Sequence, residues 1–277
     1  FDYLQLLFYF SLGLFGLVLL FLPEDAVNSF LPEEIVQFLA EEVPYSDLVE
    51  RKGIAYKINY QSPFTGYAYE YHDNGQLLRN QYFKDGKRQG LIETFYDNGQ
   101  IAHHENFRDG KKEGLTMSYS IYDGQLEEKR NYKDGKLDGL SEYSYKRTTY
   151  PYDAMLKKEN YKDGKKDGLS ETFYKNGGLD RKENYKDGEL HGLRIVNYKS
   201  GELSKKENYK DGKEHGLHES YHKNGQLESK VDFKDGKEQR LYESYYDNGQ
   251  LKYKINFKDG EREGLFEWYD SYGELLS

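Results

Sequence analysis

The chain has 277 residues, of which 36% are hydrophobic and 32% charged, so a conventional thick core is excluded and aromatics must stand in for aliphatics. Residues 1 to 50 hold no Lys or Arg and nine acids, so the net charge of -9 belongs to that segment and residues 51 to 277 are formally neutral. Neutrality excludes phosphate-driven nucleic-acid binding, and the lack of cysteine excludes disulfides, thiolate metal sites, a Cys nucleophile and a lipidated cysteine.

From Tyr3 to Leu22 twenty consecutive residues carry no charge, which matches a hydrocarbon core of roughly 30 Å at about 1.5 Å per residue. This predicts one transmembrane α-helix over residues 1–22. A secretory signal peptide is the competing reading, but no basic n-region precedes the run and no small-x-small cleavage site follows it. Ser11, Gly13 and Gly16 are small enough to let a second helix approach closely, which makes them candidate partner-binding residues. Residues 23–50 form an acidic juxtamembrane linker. There Pro32 suits the first turn of a short helix carrying Ile35, Val36, Leu39 and Val43 on one face, and Pro44 ends it. The missing Lys and Arg after the hydrophobic run place the rest of the chain on the non-cytoplasmic side.

The remainder, residues 51–277, repeats. Asp-Gly pairs end at Gly86, Gly110, Gly135, Gly164, Gly188, Gly212, Gly236 and Gly260, with steps of 24, 25, 29, 24, 24, 24 and 24. Between them lies a second series of turn signals, among them Asn74-Gly75, Asn98-Gly99, Asn176-Gly177, Asn224-Gly225 and Asn248-Gly249. Each unit therefore carries two turns and two strands, and both dipeptides suit two-residue type I′ turns. That turn places Glu171 opposite Lys182, Glu219 opposite Lys230 and Glu243 opposite Lys254. It also sets Gly168, Gly216 and Gly90 opposite Tyr185, Phe233 and Phe107. Leu169, Glu171 and Phe173 then share one face, Ser170, Thr172 and Tyr174 the other. Neither face is wholly apolar, so the prediction is an all-β, elongated single-layer antiparallel hairpin array on the order of 80 Å long, with stability propagated between neighbours.

Units such as GLSETFYKNGGLDRKENYKDGE (Gly168 to Glu189) and GLHESYHKNGQLESKVDFKDGK (Gly216 to Lys237) resemble MORN-variant repeats. The stretch from Leu48 to Leu77 is similar to the start of bacterial proteins of the YwqK type, described as antitoxin-like. The resemblance covers residues 48 to 277 and implies a β-hairpin repeat fold in interaction or scaffolding roles, in a bacterial protein; the periplasmic setting follows from the missing Lys and Arg after the hydrophobic run. The chain departs from the pattern at Arg240, where the repeat glycine belongs, and in its enlarged third unit. The excess there is the hairpin tip Lys146 to Asp153, whose Arg147, Tyr150 and Tyr152 have the composition of interface anchors.

Catalytic chemistry is absent from this reading. His215, His218 and His222 invite a metal, yet on a strand residues four apart stand roughly 13 Å from each other, too far for one ion. His103 and His104 point to opposite faces. Acids recur with the period, which marks repeat surface rather than an acid-base pair, and no phosphate loop joins a strand to a helix. The expectation is a non-catalytic, single-pass membrane protein with no cofactor and no small-molecule substrate. It would serve as an accessory or scaffolding subunit of a membrane assembly, held in the bilayer through residues 3–22; the alternative is an immunity or antitoxin-like binder that neutralises a toxin.

Overall fold

A computed structural model describes residues 40–144 and 154–276. This part of the chain is all-β, mostly a single open sheet of antiparallel hairpins, with no α-helix among the described residues. Residues 1–22 lie outside them, and no described helix is long and apolar enough to cross a membrane. By its internal contacts the chain divides into two units, one of residues 1–70 with 80–87 and one of residues 71–79 with 88–277.

The first unit has its own small core. Strand Glu41–Pro44 runs parallel to Gly66–Tyr71 and sets Val43 opposite Ala68. Val43, Ala55, Phe64, Ala68 and Phe83 are buried together, with the Phe64 and Phe83 rings 6.0 Å apart. The short helix expected through Val43 is therefore corrected over its last turn. A β-branched residue that can bury its side chain in an adjacent sheet gains more as a strand than as one helical turn. A 3-10 turn at Tyr45–Asp47 then leads into a separate hairpin, Leu48–Arg51 with Ile54–Lys57.

In the second unit the expected pairs are all present: Glu171 faces Lys182, Glu219 faces Lys230, Glu243 faces Lys254, and Gly168, Gly216 and Gly90 face Tyr185, Phe233 and Phe107. The turns that produce them are of two kinds. At Asp163-Gly164 both residues have positive φ, 51° and 85°, as a type I′ turn requires. At Asn176-Gly177 only the glycine does, so the two-residue turn is corrected there. Tyr174 instead pairs with Gly178 around a three-residue loop, in which the Gly177 N–H donates to the Tyr174 carbonyl. Such a loop closes one residue out of the two-residue register, at Phe173 opposite Leu179; a bulge at Asp180 then absorbs the extra residue, so that Thr172 meets Arg181 in the expected alignment. The same compensation follows Asn98, Asn224 and Asn248. The asparagine supports this loop, its Oδ1 accepting the N–H two residues on, at 3.0 Å in Asn74, Asn98, Asn176, Asn224 and Asn248.

Candidate interaction surface

Strand alternation gives the second unit two unlike faces. On one, the register lines up charges of alternating sign: Lys129, Glu142, Lys158, Glu171 and Lys182 face each other in succession, and after Ile195 the alternation resumes from Lys206 to Glu267. Lys158–Glu142, Lys182–Glu171, Lys230–Glu243 and Lys254–Glu267 approach to 3.1, 3.5, 2.6 and 2.9 Å. Each is half in water, where solvent screening leaves an ion pair a minor contribution to stability. Their larger effect is on register, because a one-residue slip would remove every side chain from its partner.

Beside that row runs a spine of leucines, one per repeat. Leu91, Leu140, Leu217 and Leu241 are between 37 and 49% exposed, and each stands two residues before Glu93, Glu142, Glu219 or Glu243 on the same face. Across the sheet they face Asn106, Asn160, Asp232 and Asn256. The asparagines fix the spacing: Nδ2 of Asn131, Asn160, Asn184 and Asn208 donates to the main-chain oxygen of the next repeat's leucine, Leu140, Leu169, Leu193 and Leu217, at 2.8, 2.8, 3.0 and 2.6 Å. Where Arg240 replaces the repeat glycine it takes φ 61°, and Asp232 replaces the asparagine; the guanidinium meets that carboxylate at 3.5 Å. Successive leucines are two strands apart, about 10 Å.

The opposite face is closed by its own polar groups. Ser141, Glu159, Ser170, Glu183 and Glu207 are buried there. Glu159 Oε1 is ion-paired with Lys157 at 2.8 Å and Lys166 at 2.6 Å, and its Oε2 accepts from the Tyr161 hydroxyl at 2.8 Å. Burial pushes its pKa up, but these three contacts outweigh it and hold the carboxyl below its ordinary value. A depressed native pKa stabilises the fold above the unfolded value, near 4.3, and the gain is lost as pH falls through the native value. Glu159→Gln is therefore expected to lower stability by about 2 kcal/mol at neutral pH, with the gap to wild type closing in acid. Urea midpoints measured at both pH values check this.

Further along this face the carboxylate row turns apolar at Val231 and Ile255, both buried, and Tyr242 and Tyr253 stack at 5.5 Å. Burial, followed by the hydrogen bond to Tyr253, pushes the Tyr242 hydroxyl up to about 12. A shallow open depression here is bordered by Lys205, Ser220, Ser229, Ser244 and the two tyrosines.

Rungs between repeats hold the tips. The hydroxyls of Tyr96, Tyr174, Tyr198 and Tyr246 donate to the main-chain oxygens of Tyr119, Asn197, Tyr221 and Tyr269 at 2.6 to 3.0 Å. His72 and His222 take the same position, with Nε2 2.9 and 3.0 Å from the oxygens of Phe95 and Tyr245.

The residues singled out in the sequence are distributed differently. Ser11, Gly13, Gly16, Arg147, Tyr150 and Tyr152 all lie outside the described residues; only the strands flanking the long tip, Gly139–Ser144 and Ala154–Lys162, are described. His215, His218 and His222 serve three separate partners: Asp235 at 3.7 Å, the Asn208 carbonyl at 2.8 Å and the Tyr245 carbonyl. His218 is a buried side chain between Tyr209 and Phe233, not the exposed surface position its sequence suggests. The exposure of these leucines was missed in the sequence because repetition alone does not say which face of a single-layer sheet is left uncovered. The signal of the row was present in the recurring Gly-Leu step, replaced by Arg-Leu at Arg240-Leu241, with a Glu two residues after most of these leucines.

The fold and these surfaces define a class: an open-sheet hairpin-repeat protein with one face of buried polar and ion-paired side chains and one presenting a row of leucines. The family model described as MORN repeat variant matches residues 64–85, 88–109, 166–187, 190–211, 214–235 and 241–259, and the chain is a MORN-repeat protein. The stretch between the second and third matches contains the enlarged unit. No curated protein matches the sequence.

Proposed function

We propose that this chain is a non-catalytic scaffolding or accessory subunit that binds an elongated protein partner along the leucine face. The observation that carries the reading is the row of repeat leucines in which Leu91, Leu140, Leu217 and Leu241 stand exposed beside a charge-balanced row. Apolar side chains left in water along one face, rimmed by charges, give a protein partner something to cover. The partner is a protein with an apolar edge flanked by charges of both signs, since a neutral surface gives anionic lipid little to hold.

Replacing all four leucines with serine leaves side chains that are already half in water, so the array stays folded. Recovery of the co-purifying partner is expected to fall at least about tenfold, the effect of losing roughly 1.4 kcal/mol of contact. Undiminished recovery would move the contact to the opposite face, the long tip or residues 1–22. The identity of what is recovered separates a membrane-assembly subunit from a single toxin and its neutraliser.

The membrane tether is part of the same proposal and rests on the uncharged run from Tyr3 to Leu22. The full chain is expected to stay with membranes through an alkaline carbonate wash, and its release would remove the tether from the proposal.

A further inference from the structure

Five hairpin tips place an asparagine directly before a glycine: Asn74, Asn98, Asn176, Asn224 and Asn248. All five present the same reactive pair, because glycine has no side chain to keep its backbone nitrogen from the neighbouring amide carbon. All five also use Oδ1 to accept the N–H two residues on, at 3.0 Å. They differ at Nδ2. Asn74, Asn224 and Asn248 donate it across to the next repeat's tip, to the main-chain oxygens of Asp97, Asp247 and Ser271 at 2.6, 2.6 and 2.8 Å. Asn176 does the same more loosely, to Lys199 at 3.2 Å. Asn98 turns instead to the side chain of Gln100 in its own tip, at 3.2 Å.

The reason lies one repeat on. The next tip is a longer turn, in which the Gly124 N–H donates to Ser120 and the Ser120 N–H to Gln125. It departs from the three-residue loop of the asparagine tips, and the asparagine rung is missing where the two kinds of tip meet.

We propose that Asn98 is the principal site of spontaneous deamidation in this chain. The backbone nitrogen of Gly99 attacks the side-chain carbonyl carbon of Asn98, and a C–N bond forms. The side-chain nitrogen leaves as ammonia, carrying the Gly99 amide proton. Water then opens the cyclic imide to aspartate or isoaspartate. At the other tips, expelling Nδ2 also breaks a rung to a neighbouring repeat, which raises the barrier. At Asn98 the bond broken is to the exposed Gln100 side chain of the same tip, and no rung to a neighbouring repeat is lost. The product adds a negative charge and, as isoaspartate, an extra backbone methylene to one defined tip.

The test is incubation of the folded full-length chain in mildly alkaline buffer, followed by proteolysis and mass-spectrometric mapping of aspartate and isoaspartate. Asn98 is expected to convert about fivefold faster than Asn74, Asn224 and Asn248, as loss of one net hydrogen bond predicts, with Asn176 between. Asn248 is the closest control, since Gln226 lies against Gly249 as Gln76 lies against Gly99. In denaturant the spread is expected to collapse, because every site precedes glycine. The proposal is overturned if Asn98 is no faster than Asn248 in the folded chain, or if its lead persists undiminished in denaturant.

Discussion

Arg194→Ala is expected to lower stability by about 2 to 4 kcal/mol, the largest effect of any single charge removal in the array. The guanidinium donates through Nε to Glu183 at 2.9 Å and through Nη1 to Glu207 in the next strand. Both carboxylates are buried, so truncating the arginine leaves two acids facing each other with much of their hydration gone. The penalty comes from what remains rather than from the bond removed. A triple variant separates these terms. The protein fills equivalent places further along with Val231, Tyr242 and Ile255, and Glu183→Val with Arg194→Tyr and Glu207→Ile is expected to recover most of the loss, because an apolar replacement removes the stranded charges too. Urea unfolding of both variants checks this; a triple variant as unstable as Arg194→Ala would mean that packing, not stranded charge, sets the effect.

Gly86→Ala is expected to cost about 3 kcal/mol or more, whereas Gly236→Ala at the equivalent turn costs about 1. Both glycines have positive φ, 71° and 81°, so an added methyl meets similar backbone strain at each. They differ in what lies beside them. A Cβ on Gly86 would come within 2.6 Å of the Ala55 main-chain oxygen and 2.4 Å of Ile54 Cγ2, while at Gly236 it would enter open space. Backbone cannot yield as a side chain can, because the Ala55 N–H is itself bonded to the Gly86 carbonyl at 2.8 Å. Equal losses in the two variants, read from thermal unfolding, would show that the first unit's core does not grip this turn.

Much of this was legible in the sequence because the chain states it eight times. The period, the strand pairs and the facing of Glu171 on Lys182 follow from turn residues and from the two-residue alternation of a strand. The turn type at Asn176-Gly177 did not follow, although the register deduced from it did. Asn-Gly satisfies both a two-residue type I′ turn and a three-residue loop, and the bulge at Asp180 makes the two indistinguishable from Thr172 onward. The pattern through Ile35, Leu39 and Val43 read as a helix to Pro44, because periodicity cannot register that Ala55, Phe64 and Phe83 stand ready to bury Val43 in a strand.

The candidate surface divides along the same line. That acids and bases alternate across the sheet was determined by the residues themselves, since pairing register and composition suffice to place them. Which charges are buried, and which leucines are not, was decided only by the tertiary structure. Glu159, Glu183 and Glu207 recur like any surface acid in the text of the repeat, yet they close one face with Lys157, Lys166 and Arg194. Leu91, Leu140, Leu217 and Leu241 recur like the other repeat leucines, yet they stand in water. The physical reason is that a single-layer sheet has no second layer to cover its faces. The side chains of neighbouring repeats decide what is buried, and those neighbours are set by distances across strands rather than by order along the chain.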